Sequence, residues 1–204
     1  MLVGVVLGVS PGGAFLFLLA GGIAGWLYRC TEGSHRRTVA GLFLIAFLLR
    51  VGVSVGLDVA SRVATGQWPG RYSAPKEWEL GIREASRETL KMGDSDYFSQ
   101  RGYALAQFGR GNREPVVVMR SQTEYGWSSH CYLVGAFYHL WGFRPISVKW
   151  MNALFGAGLV VLVFGLGQFL FRSPAIARWS ATAVALWPSL ILWSASNLKE
   201  CLVT

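Results

Sequence analysis

Apolar residues fall along this chain in long blocks, set apart by one long polar stretch. Leu2 to Tyr28 is almost uncharged. About 20 such residues cross the hydrocarbon core of a bilayer, so this block predicts a first membrane helix. Pro11-Gly12-Gly13 interrupts it, and the missing proline N–H is expected to bend or fray its first half. Thr38 to Asp58 predicts a second crossing and Val148 to Phe171 a third. Trp179 to Ser196 predicts a fourth, with Pro188 in its outer half. Ser128 to Gly142 is apolar and aromatic but short for a crossing, which suits an interfacial or re-entrant helix.

The polar stretch runs from Ala60 to Ser147. Trp68-Pro69-Gly70 and Ala74-Pro75 are turn signals. Glu77 to Met92 reads as an amphipathic helix, with Trp78, Ile82, Ala85, Thr89 and Met92 on one stripe. Gly93 is a natural stop. Asp94 then starts a helix through Phe98, Tyr103 and Leu105, which Gly109, Gly111 and Asn112 end. Pro115 to Met119 reads as a short extended run. The expected fold class is all-α: polytopic transmembrane helices with a large extracytoplasmic loop carrying interfacial helices. The expected division is 1–59, two crossings; 60–147, the loop with its acidic motif; and 148–204, two further crossings and the start of a second external loop. Leu198 to Thr204 looks like the opening of another segment, so the chain is expected to be part of a larger protein.

Charge sets the orientation. Arg29, Arg36 and Arg37 follow the first block, and Arg172 and Arg178 follow the third. Under the positive-inside rule both turns are cytoplasmic, which places the N-terminus and the long loop outside. Trp26 and Trp179 then fall at inner boundaries and Trp150 and Trp193 at outer ones, as in an aromatic belt. Arg50 lies inside the second block. A lone arginine at that depth snorkels to the headgroups, or faces the bundle and meets a lipid phosphate or a carboxylate. Gly156, Gly158, Gly165 and Gly167 on one helix predict close helix packing.

Composition supports the membrane reading. Of 204 residues 52% are hydrophobic and 15% charged, where soluble domains carry about a quarter charged. The net charge of +8 is spread along the chain, so no basic block points to nucleic acid. Cys30, Cys131 and Cys201 are far apart and follow no metal-ligand spacing. His35 reads as a solvated surface residue; His130 and His139 read as members of an interfacial aromatic cluster.

The candidate chemistry is in Gly93-Asp94-Ser95-Asp96-Tyr97-Phe98. A carboxylate where a membrane segment gives way to a surface helix can accept a proton or hold a cation. Asp94 or Ser95 can equally serve as a helix N-cap, and the two roles are compatible.

Gly93-Asp94-Ser95, then Phe98, Gly102, Leu105-Ala106 and Gly109 at their steps, resembles the first-loop pattern of GT-C-type membrane glycosyltransferases. That group contains protein mannosyltransferases and bacterial lipid A aminoarabinose transferases. Tyr138 to Phe143, Lys149 to Gly156, and Ala183 to Pro188 followed by Ser194 to Glu200 are similar to later segments of the pattern. Phe98 and Gly102 depart from the usual Tyr and Ala, and Tyr125-Gly126-Trp127 stands where Tyr-Pro is usual.

The resemblance implies a multi-pass enzyme of the bacterial inner (plasma) membrane. Its donor would be a polyprenyl-phosphate-linked sugar and its acceptor a lipid, glycan or protein at the extracytoplasmic face. Asp94 matches the first-loop acid and Glu200 the second-loop acid, as catalytic residues. Asp96, Arg50, Arg101, Arg120 and Lys199 are the candidates for substrate and phosphate binding. A divalent cation between carboxylates is compatible with this set, because hard cations take oxygen ligands, but no dedicated cage is visible. The competing reading is a non-catalytic polytopic protein, a transporter fragment or an assembly partner. A transporter is expected to show broken helices with polar residues at the membrane midplane.

Overall fold

In a computed structural model of the chain, residues 11–31, 33, 35–64, 95–113, 115–117 and 128–196 are described. Among them the protein is all-helical, with no strand. Three long helices are α1 (Pro11–Cys30), α2 (His35–Ala64) and α5 (Pro145–Phe171). Each is long and apolar enough to cross a membrane. Between α2 and α5 in the chain come two shorter helices, α3 (Ser95–Gly109) and α4 (Ser129–Trp141). After α5 come α6 (Pro174–Leu186) and α7 (Pro188–Ser194), a pair bent by 56° that is long and apolar enough together for a broken span or a re-entrant loop.

Local chemistry sets the helix ends. Pro145 and Pro174 stand in first turns, where a missing N–H costs nothing. The Ser173 side chain accepts the Ile176 N–H at the start of α6. Arg172 closes α5 in the left-handed region (φ 50°), with its N–H on the Gln168 carbonyl.

The spans pack through small and aromatic side chains. Phe43, Ala46, Phe47 and Val51 of α2 share one core with Ala153, Leu154, Ala157 and Val160 of α5. An alanine stripe on α6, Ala177, Ala181 and Ala185, joins the same core. Leu18, Ile45, Leu48, Leu162, Phe169 and Trp179 are exposed instead. This apolar outer wall suits lipid as the solvent, and helices meet the bilayer's demand that every backbone group be bonded internally.

Two contacts fix which helix ends lie together. Lys149 Nζ is 3.5 Å from Asp58 Oδ1, joining the end of α2 to the start of α5. At the opposite end His35 and Phe164 face each other at 6.3 Å. The α3–α4 pair sits at the Asp58–Lys149 end. It packs on the start of α1 through a Phe15–Trp141 stack (5.1 Å), and Tyr103 and Tyr138 pack against Phe143 in the link that leads into α5. Within the pair, a Cβ on Gly102 would lie 2.3 Å from Val134 Cγ1, and one on Gly135 would lie 2.8 Å from Leu105 Cβ. Both positions are closed to a larger residue.

Several expectations need correction. Described α1 runs unbroken from Pro11 to Cys30, and Gly12 makes room for Phe137 and Trp141; the part of the expected Leu2–Tyr28 helix before Pro11 lies outside the described residues. Residues 115–117 are helical, not extended, with the Val117 N–H on the Arg113 carbonyl. The expected fourth crossing is two helices, starting earlier, at Pro174. Trp150 is buried against Phe17 and is no belt residue, whereas Trp26, Trp179 and Trp193 are exposed. Of the four α5 glycines, Gly156 and Gly167 meet neighbouring helices, while Gly158 and Gly165 face open space. The expected helix at Glu77 to Met92 lies outside the described residues.

Candidate functional site

The polar centre of the membrane core is the break between α6 and α7. Pro188 has no N–H to give the Val184 carbonyl, one turn back, and its ring opposes a continuous helix. Trp187 is extended (φ −65°, ψ 117°), and the chain resumes as α7 with the Ile191 N–H on the Trp187 carbonyl. The last carbonyls of α6 are thereby left without helical donors, in a region with no water to serve them.

Arg50 of α2 fills that need. Its Nη1 donates to the Ala185 carbonyl at 3.3 Å and to its own Ala46 carbonyl at 3.1 Å. Its Nη2 donates to the Val184 carbonyl at 3.4 Å. The residue is 0% exposed, so it does not snorkel. Among the described residues no carboxylate pairs with it. Its charge is met by backbone carbonyls at the negative end of α6, where a cation is favoured. Gly156 is the seat: a Cβ there would lie 2.8 Å from Arg50 Nε and 3.0 Å from Ser194 Cβ.

Polar side chains continue from Arg50 toward the Asp58–Lys149 end. Ser54 is one turn on, fully buried, and Asp58 two turns on. On α5, Asn152 Nδ2 donates to the Ser196 carbonyl at 2.8 Å and so holds the chain just past α7. The Ser194 hydroxyl donates to the Leu190 carbonyl (2.6 Å) and the Ser196 hydroxyl to the Leu192 carbonyl (3.0 Å). Both bonds turn hydroxyls back on their own helix.

A second arginine does the same work nearer the surface. Arg110 Nη2 donates to the Tyr138 and His139 carbonyls at the end of α4, both at 3.1 Å. His130 is buried edge-on to Phe98 at 4.9 Å, as its aromatic-cluster reading expects. His139 Nδ1 lies 3.4 Å from the Ala106 carbonyl, so it belongs to the same helix pair.

Of the residues singled out from sequence, Asp94, Arg120, Lys199 and Glu200 lie outside the described residues. Asp96 lies in the first turn of α3. Arg101 is buried on α3 (3% exposed). Arg50 sits on a different element, at the α6–α7 break. Ser54, Asp58, Lys149 and Asn152 were not singled out for a site. The signal was present: Arg50, Ser54 and Asp58 recur every four residues along an apolar helix, which puts them on one face. Among the described residues no group of three His, Cys, Asp or Glu could hold a metal ion. Neither a family model, nor a curated protein, nor a solved structure matches this chain.

Proposed function

We propose that the chain is part of a GT-C-type membrane glycosyltransferase. It would transfer a sugar from a polyprenyl-phosphate donor to a lipid, glycan or protein acceptor at the extracytoplasmic face of a bacterial inner membrane. The observation that supports this reading is the α3–α4 pair. It joins the second span to the third in the chain, packs at one end of the bundle, and α3 begins at Ser95, next to Asp94. A carboxylate there would stand near the headgroup plane, where a lipid-linked donor presents its sugar. In this mechanism Asp94 takes the acceptor hydroxyl proton as the new C–O bond forms at the anomeric carbon. The bond from that carbon to the phosphate oxygen breaks, and the lipid phosphate leaves with the electron pair. Arg101, Arg120 and Lys199 are the candidates to stabilise it, and electrostatic stabilisation of this kind is usually the largest catalytic contribution. Glu200 is the second-loop acid, Asp96 assists binding, and Arg50 supplies positive charge within the bundle.

A second reading has its own observation. The bent α6–α7 span, with polar side chains at the break, is a feature of transporters, whose discontinuous helices bind substrate at the midplane. On this reading the protein is non-catalytic. The deciding experiment uses the complete gene product in liposomes with a polyprenyl-phosphate sugar. Transfer is measured for the wild type, Asp94→Asn and Asp96→Asn at equal folded amount. Asn retains the cap hydrogen bond but cannot take a proton. Asp94→Asn is expected to lose about a hundredfold to ten-thousandfold in rate, and Asp96→Asn much less. Near-normal transfer by both variants removes Asp94 from catalysis. Solute flux without any transfer favours the transporter.

A further inference from the structure

The α6–α7 break has the parts of a two-position element. One position is the bent span, where the Val184 and Ala185 carbonyls are served by Arg50. The other is a straight span, where those carbonyls would need backbone donors from residues 188 and 189. Pro188 denies the first of these donors, and Arg50 supplies its replacement from another helix.

We propose that the break is an intramembrane hinge and that Arg50 is its latch, a guanidinium tethered to α2 that caps the open end of α6 and holds the span bent. Three observations on different elements meet here. Pro188 and the extended Trp187 make the break. The fork of Arg50 reaches two successive carbonyls of α6 while keeping one bond on its own helix. Gly156 of α5 leaves the space the arginine occupies, and any side chain there would push on Arg50 Nε and on Ser194 at the end of α7. The arginine and the proline therefore depend on each other. Without Arg50, bare carbonyls remain in a dry interior. Without Pro188, the straightened helix bonds its own carbonyls and leaves the buried guanidinium short of acceptors. The latch is independent of any catalytic role.

A double-mutant cycle tests this on the full chain in detergent or bilayers. Reversible unfolding is followed for the wild type, Arg50→Leu, Pro188→Ala and the double variant. Each single change is expected to lower the folding equilibrium constant. The double variant is expected to recover, exceeding the product of the two single effects by about fivefold or more, as coupled neighbours do. Should Arg50→Leu fail to fold, recovery of folded protein in the double variant is the same result. Arg50→Lys keeps a donor but not the fork, and is expected to fall between wild type and Arg50→Leu. Nitroxide labels at the exposed positions 176 and 193 supply a second readout. A straight helix puts them about 26 Å apart. The wild type is expected to be shorter and the double variant to approach that value. Additive effects in the cycle, or a wild-type distance unchanged in the double variant, would overturn the latch.

Discussion

Asn152 Nδ2 donates to the Ser196 carbonyl across 2.8 Å, tying the first part of α5 to the chain just past α7. Both residues are buried within the protein, so losing the bond leaves a buried polar group without this partner. Replacing one partner of a buried hydrogen bond costs about 1–3 kcal/mol. Asn152→Ala is expected to destabilise by that amount. Asn152→Asp is expected to be worse, because a carboxylate oxygen would replace the donor and face the carbonyl. Thermal unfolding of the three proteins checks the order, and an Asp variant as stable as Asn would contradict it.

The α3–α4 crossing is closed to a single methyl group. A Cβ on Gly102 would lie 2.3 Å from Val134 Cγ1, well inside contact distance. Gly102→Ala is expected to cost about 1–3 kcal/mol, the usual range for overpacking. Val134→Ala in the same chain is expected to return part of it. Gly158→Ala is the control: its Cβ meets open space, and alanine is the better helix former by about 1 kcal/mol. Equal effects at 102 and 158 would mean that the crossing is not tight.

The Asp58–Lys149 pair is only partly screened by solvent, with side chains 15% and 16% exposed. Asp58→Lys is expected to place two cations together and loosen the end of α2 from α5. Adding Lys149→Asp is expected to restore stability by exchanging the charges. The coupling should be on the order of 1 kcal/mol and shrink with added salt, as partly exposed pairs do. A swap as unstable as the single change would show that the pair contributes little.

Orientation is checked by labelling. The arginines at the α1–α2 and α5–α6 turns predict that those turns are cytoplasmic. Gly111 is exposed beyond the end of α3, and Cys30 is exposed at the α1–α2 turn. In a chain carrying Gly111→Cys with Cys201→Ser, an impermeant thiol reagent is expected to reach position 111 on intact spheroplasts. Cys30 is expected to react only after permeabilisation. Reaction of position 111 from the cytoplasmic side alone would invert the topology.

The all-helical membrane architecture was legible in the sequence, because crossing a bilayer demands long uncharged runs, and these stand out without any knowledge of contacts. The α3 stop at Gly109, Gly111 and Asn112 and the short α4 were legible for a similar reason: turn residues and helix length act locally. Arg50 was visible as an anomaly, but its partners were not. Sequence offers a buried arginine a headgroup, a phosphate or a carboxylate. Only the packing of α2 against α6 shows that the partners are backbone carbonyls, which carry no residue signature. Pro188 likewise announced a disturbance and not its size, since a proline in a span bends it slightly or breaks it according to what else can serve the freed carbonyls. Gly156 and Gly158 look alike in sequence; the neighbours brought by the fold, Arg50 and Ser194 in one case and open space in the other, decide which one matters.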